Sequence, residues 1–560
     1  MKKIYGFAFA AAIMSLASCS NDSEPVVNPT PEEAEAGYLA INISAPATTR
    51  ADEGNLEAAT DPKENYAEKG TFLFFNGQYQ TQVPQSVMID WKANLPANAP
   101  AGVEKVSEAI VTVAGNGSAN KPQSVLVILN DPFGPAHYTN MTLMEVLDET
   151  AKEANSVSSN NGFIMTNSTY FVNGETQVAT PIGDNVKTTR QEAKEAAEAG
   201  NGVDIYVERL TAKVTPVKHN SFEIKSTGDF QVNGMDEKIN LTPVITGLSV
   251  ANVAKDEYLF KHVDESWIAK WEGVDDNKNF RSNWAVTPET TYTNMSYVGY
   301  DATLGDQGID SELLPIYIKE NTSATKSALL VTAKLTLDGE TAIEALVRWA
   351  GLYFTPESFK TQALNFTQGY YKPGKDAEGK DAFVSLEASD LAYLAKDVHA
   401  AMVGTKVGSE NKEEFHAYEQ ALQLTDSEME LYDSEGKVIA NAAETLNAIL
   451  LDKANRCWYW NEGKAYYFVN IEHYGPLANV KPDDADEDWA AEDFREGVVR
   501  NHIYQVTLKS LSGIGVPVFN PDLVIIPEKV KDELWYLGAD INILKWKIVK
   551  QDANFNDVPL

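Results

Sequence analysis

Apolar and polar positions alternate with a period of two along much of this chain. In 38–47, Leu39, Ile41, Ile43 and Ala45 fall on one parity, and Ala40, Asn42 and Ser44 on the other. That is the pattern of a half-buried strand. Short β-rich runs follow at 70–77, 109–115 and 124–131, each bounded by turn residues. Residues 162–180 read as strands joined at Asn173-Gly174, a tight-hairpin dipeptide. Val203, Ile205 and Val207 share a face, so 203–216 is predicted as one strong strand. The β pattern continues through 327–337, 464–475 and 502–511. Helical patterning interrupts it at 141–154, 190–199, 388–402, 412–424 and 442–452.

The last patterned stretch is 534–555. Ala539, Ile541 and Ile543 alternate, and then Leu544, Trp546 and Ile548 alternate on the other parity. This predicts a strand covered on both faces, or one that changes face through a bulge at 543–544. No fixed-period repeat is present, which disfavours a solenoid or a propeller. Many short strands with few helices indicate β-sandwich domains with insertions, and a turn-rich crossing at 217–235 marks a boundary between them.

The start of the chain follows a different pattern. Lys2 and Lys3 precede a short apolar run at 4–17, and Leu16-Ala17-Ser18-Cys19 then matches the cleavage pattern of bacterial lipoproteins, with Cys19 as the lipidated residue. Residues 20–37 are rich in Pro, Ser and Glu, as in a tether. The other cysteine, Cys457, has no partner for an intrachain disulfide and reads as a small buried hydrophobe. Stability must therefore come from packed area. The 560 residues are 43% hydrophobic, enough for several domains with real cores. The net charge of −35 argues against nucleic acid and against anionic membrane as partners, leaving the precursor lipid as the only membrane link.

Candidate chemistry is sparse. The seven histidines form no metal-binding spacing, and no nucleophile elbow, phosphate-binding loop or dinucleotide fingerprint occurs. The chain therefore reads as non-enzymatic, without a cofactor or a metal. The acidic run 482–493 lacks the glycine and the spacing of a calcium loop and reads as a solvated loop. Trp458, Tyr459, Trp460, Tyr466, Tyr467 and Phe468 could stack on a sugar, but they read first as core filling.

Taken in order, several segments resemble the fimbrilin family of the type V pili of Bacteroidota, closer to the long minor-type shaft subunits than to the shorter major type. They are the lipobox at Cys19, Arg50 in a polar loop after a strand, and residues 125–131, 162–168, 207–214, 498–515 and 541–549. Where the family motif often has proline before the tryptophan, this chain has Lys545. The resemblance implies two β-sandwich domains, transthyretin-like with Greek-key connections, and a maturation scheme. The precursor crosses the inner membrane, is lipidated (palmitate and diacylglycerol) on Cys19 and reaches the outer membrane, and a trypsin-like arginine-specific protease then cuts between Arg50 and Ala51. The cut removes a strand carrying Leu39, Ile41 and Ile43. A donor strand of another copy, with Ile541, Ile543, Leu544, Trp546, Ile548 and Val549, refills the groove. The expected organisation is a signal peptide (1–19), a propeptide (20–50), an N-terminal sandwich (51–225), a C-terminal sandwich (226–533) and a donor segment (534–560). The expected function is a structural fimbrial shaft subunit serving adhesion and biofilm formation, whose partners are its own copies and the anchor and tip subunits. A tip or anchor adhesin, or a glycan-binding surface lipoprotein, stand as the alternatives.

Overall fold

The computed structural model describes residues 36–46, 64, 66–92, 103–115, 120–151, 162–172, 175–199, 201–262, 286–288, 295–301, 304–305, 315–321, 326–337, 339–404, 415–471, 473–474, 495–527 and 535–545. The fold is mainly β, as the alternation implies, with sandwiched sheets and a few helices.

The first sheet is built from β1 (Ala36–Pro46), β2 (Lys69–Asn76), β3 (Val103–Ala114), β4 (Ser124–Leu129), β5 (Met165–Asn167) and β6 (Val203–Arg209). Their spatial order is β2-β4-β5-β6-β1-β3. Strand β6 serves two neighbours. Its first half runs parallel to β1, and Val207–Arg209 pair antiparallel with β5. Leu39, Ile41 and Ile43 gather with Val111, Val113, Phe72, Phe74, Val125 and Val127 into one core. The opposite face of β2 and β4, with Leu73, Phe75, Leu126 and Ile128, packs into a second cluster with Phe260. Both faces of these strands are covered, which is why 72–75 and 125–129 read as unbroken apolar runs. Helix α1 (Arg190–Glu198) lies over β1 from outside.

The chain then changes core. Strand β7 (Ala212–Ile224) begins just after β6 ends, yet it belongs to another sheet. The single strand expected over 203–216 is therefore two, broken at Leu210–Thr211. Ala212 and Val214 pack with residues of β8 (Leu241–Ala251), β9 (Ile316–Ile318) and β10 (Ala328–Leu337). Strands β11 (Ala345–Trp349) and β12 (Cys457–Asn461) pair with each other and frame an insertion. This insertion holds helices α2 (Pro356–Ala363) and α3 (Ala442–Leu451) on a core of its own. The chain closes with β13 (Lys464–Asn470), β14 (His502–Gly513) and β15 (Trp535–Lys545). One sheet of the second sandwich runs β9-β7-β14-β15, and the facing sheet contains β8-β10-β13.

Several helical expectations are corrected. Among the described residues of 141–154, Leu143–Leu147 are helical and Thr150–Ala151 pair with Glu257–Tyr258. Over 388–402, a short turn and the strand Leu391–Tyr393 precede a helix at Lys396–Gly404. In 412–424, Glu419–Gln420 and Leu422–Leu424 are strands. Helices at 190–198 and 442–451 match their expectations.

Buried charges stitch the early and late parts of the chain together. Glu64 accepts from Lys213 at 2.8 Å and from the Tyr317 hydroxyl at 2.6 Å. Arg209 donates to the Glu64 carbonyl at 2.6 Å and to Asn501 at 3.1 Å. Lys261 pairs with Glu208 at 3.2 Å. Arg500 pairs with Glu320 at 2.8 Å and also donates to the Tyr258 carbonyl. Such enclosed ions are tolerated only when each has partners of good geometry, so the network fixes how these elements meet.

Candidate assembly site

Strand β1 lies inside its sheet rather than at an edge. It pairs antiparallel with β3 from Ala36 to Pro46, and parallel with β6 through Ile41↔Val203, Asn42↔Asp204, Ile43↔Ile205 and Ser44↔Tyr206. Near its start, Tyr38 exchanges backbone hydrogen bonds with Lys187, at 2.8 and 2.7 Å. Leu39, Ile41 and Ile43 have no exposed surface. Burying three such side chains stabilises the precursor by roughly 5–9 kcal/mol of transfer free energy. The inward face is the one that the period-two pattern marks.

The outward face is shaped as well. Ala40 is enclosed against Ala193 and Ala197 of α1, where small residues on both partners allow the helix to approach the strand closely. Helix α1 is set by a capping box: Thr189 accepts from the Glu192 amide at 3.2 Å, and Glu192 accepts from the Thr189 amide at 3.1 Å. These hydrogen bonds, with the one from the Thr188 hydroxyl first, hold the Glu192 carboxyl below its usual range. Asn42 donates from Nδ2 to Asp204 at 2.9 Å. Its amide lies over Gly202, where a Cβ would come within 2.9 Å of Nδ2. Ala40, Asp204 and Gly202 carry no signal of their own in the sequence, nor does the closure of α1 over β1. Only the pairing of β1 with β6, far apart in the chain, brings them together.

Strand β15 pairs antiparallel with β14 along its whole length, from His502↔Lys545 to Gly513↔Trp535. Ile541, Ile543 and Leu544 therefore sit in the chain's own sheet, opposite Val506, Tyr504 and Ile503. Among the described residues, β15 has one ladder neighbour where β1 has two. The irregularity in this pair lies between Leu508 and Ser510 of β14, opposite Gly538 and Ala539. Of the two alternatives for this strand, the bulge at 543–544 is not found, since the register there is continuous and the irregularity falls opposite Gly538 and Ala539. Cys19, Arg50, Ala51, Trp546, Ile548, Val549 and the acidic run 482–493 lie outside the described residues.

The remaining candidates are structural. Cys457 is fully enclosed, and burial pushes its thiol well up, away from the reactive thiolate. Trp460, Tyr466, Tyr467 and Phe468 are buried, and Trp458 and Tyr459 half-buried, so the aromatic strands β12 and β13 fill core rather than form a stacking platform. The Trp460 indole donates to the Ile514 carbonyl at 2.9 Å, and the Tyr467 hydroxyl to Gly513 at 2.9 Å. Among the described residues no group of His, Cys, Asp or Glu is arranged to hold a metal, and no helix is long and apolar enough to cross a membrane.

Residues 458–552, from β12 through β15 and beyond, match the family described as major fimbrial subunit protein type IV, fimbrillin, C-terminal. Over that segment the chain carries the C-terminal signature of the fimbrilin family. The match supports a fimbrial subunit of the cell surface. No curated protein matches the chain. Among solved structures, it is similar to a fimbrilin from Porphyromonas gingivalis at 14% identity, covering 92% of this chain and 99% of that one, with a TM-score of 0.35. The tip fimbrial protein Mfa3 of the same organism, truncated at its C-terminus, gives 12% identity, 90% and 99% coverage and a TM-score of 0.28. A fimbrial assembly protein from Parabacteroides distasonis gives 9% identity, 53% and 82% coverage and a TM-score of 0.29. At these scores the three likenesses decide nothing about how the subunit works.

Proposed function

We propose that this protein is a fimbrilin shaft subunit, made as a lipoprotein precursor anchored through Cys19, released by a cut between Arg50 and Ala51, and polymerised by strand exchange. The observation that carries the reading is the placement of β1, a central strand whose Leu39, Ile41 and Ile43 are fully enclosed and which ends at Pro46, just ahead of Arg50. Once the cut frees it, its departure leaves an apolar slot and two unpaired edges, those of β3 and β6. The donor is the C-terminal segment 534–560 of another copy, with Ile541, Ile543, Leu544, Trp546, Ile548 and Val549 as its apolar residues. Before release, β15 rests on its own β14. On transfer it gains a second ladder, which favours exchange between copies. Slot and donor lie on different parts of one molecule, so the contact does not close and propagates into a filament. The partners are copies of itself, tip and anchor subunits, and an arginine-specific protease. We place the division between the two sandwiches at Leu210–Thr211 rather than at 225, because Ala212 and Val214 already pack in the second core.

Two measurements test this together. Protein sheared from the surface should begin at Ala51, and a precursor lacking 536–560 should be cut normally yet fail to lengthen chains. Mature surface protein that still begins at Cys19 would refute the release step. Full-length filaments from the truncated protein would refute the donor.

A further inference from the structure

We propose that the donor strand enters the slot in one register, with Ile541-Asn542-Ile543 taking the places of Ile41-Asn42-Ile43 and Asn542 donating to Asp204 of the receiving copy. The inference rests on the strand-exchange reading above and adds to it which donor residue meets which groove residue.

The tripeptide Ile-Asn-Ile occurs twice in the chain, at 41–43 and 541–543, once in each of the two terminal strands. In β1 the three residues do different work. Ile41 and Ile43 fill the core, while Asn42 faces out, over Gly202 and hydrogen-bonded to Asp204 at 2.9 Å. That outer recess suits a short amide: Gly202 leaves room for it, and Asp204 accepts from it. A second Ile-Asn-Ile offers the same two apolar shapes at the same parity, with the same donor between them. The incoming strand must run parallel to β6 and antiparallel to β3, as β1 does, for both ladders to form.

The rival register sets Leu544, Trp546 and Ile548 in the places of Leu39, Ile41 and Ile43, and Lys547 beside Asp204. It carries more apolar area, but it forces an indole into the position of Ile41, which has no exposed surface and is closed on every side. In the favoured register the slot accepts the donor less well at two positions. Ala539 underfills the place of Leu39, and Asp540 comes against Ala193 and Ala197 of α1 where Ala40 sits. The propeptide strand therefore fits its own groove better than this donor does in either register. On this register the cut must come before exchange, and intact precursor should not take up a donor.

Cysteine pairs read the register directly. Neighbouring parallel strands hold paired residues close enough for a disulfide. In uncut precursor, Asp204→Cys with Asn42→Cys should form an intrachain bond, which shows that the pair folds and is in reach. In filaments grown from mixed copies after cleavage, Asp204→Cys in the receiver should bond to Asn542→Cys in the donor and not to Lys547→Cys. A bond to Lys547→Cys, or filaments with neither bond, overturns the register and leaves strand exchange standing. Cut protein that forms no filament and keeps β15 on β14 overturns strand exchange itself. If Asp204→Cys precursor does not fold, Asn542→Asp serves instead. Facing carboxylates should slow elongation about threefold, with recovery in an Asp204→Asn receiver, and an unchanged rate overturns the proposal.

Discussion

Ile41 carries a test at the scale of one side chain. It is fully enclosed in the first core, so Ile41→Ala should destabilise uncut precursor by about 2–5 kcal/mol through lost transfer free energy and an unfilled cavity. The same substitution should leave cut, assembled protein unchanged, because the residue departs with the propeptide. Thermal unfolding of the two forms checks this, and an equal loss in both would mean that β1 stays. Period-two alternation is enough to mark Ile41 as an inward residue. It says nothing of the partners of Asn42, since Asp204 and Gly202 lie far along the chain and join it only through the β1–β6 ladder.

Among elements, α1 has the most specific duty, since it covers the back of the strand to be removed. Thr189→Ala deletes one half of its capping box and should lower stability by about 1 kcal/mol. The loosened helix should also speed amide hydrogen exchange in 38–42, and unchanged exchange there would show that α1 does not hold β1. This helix is legible in the sequence because 190–199 is dense in Ala, Glu and Lys, strong helix formers. The segment 412–424 has similar composition but is drawn into strands. Leu422–Leu424 pair with Leu391–Tyr393, and Glu419–Gln420 pair with Trp458 and Cys457. Long-range ladders outweigh a helical preference of a few tenths of a kcal/mol per residue. The break between β6 and β7 falls where the apolar parity shifts, from Val203, Ile205 and Val207 to Leu210, Ala212 and Val214, across Glu208 and Arg209, which are buried as ions with distant partners.

Across the whole molecule, the buried charges make stability depend on pH. Glu257 is fully buried, and burial pushes its carboxyl up from 4.5 to about 7 against the pull of Lys319 and Arg500. Between those values the folded chain keeps a proton that the unfolded chain has released. This group's contribution is therefore greatest at the acid end and falls as pH rises toward 7, by at most about 1.4 kcal/mol per pH unit. Glu257→Gln should remove that decline, seen as denaturation midpoints that change less between about pH 5 and pH 7. Parallel pH profiles for the two proteins would contradict it.

By itself, the sequence determined the β class, the inward face of β1, the core role of the aromatic strands and the absence of any local catalytic motif. These follow from alternation, composition and residue type, which are local quantities. Tertiary structure alone decided that β1 stands between β3 and β6, that α1 closes over it, that the chain changes core at Leu210–Thr211, and that β15 rests on β14. Each of these is a pairing between segments far apart in the chain. Alternation tells a strand which face to bury, but its neighbours are set only when ladders, cores and buried ions are satisfied together.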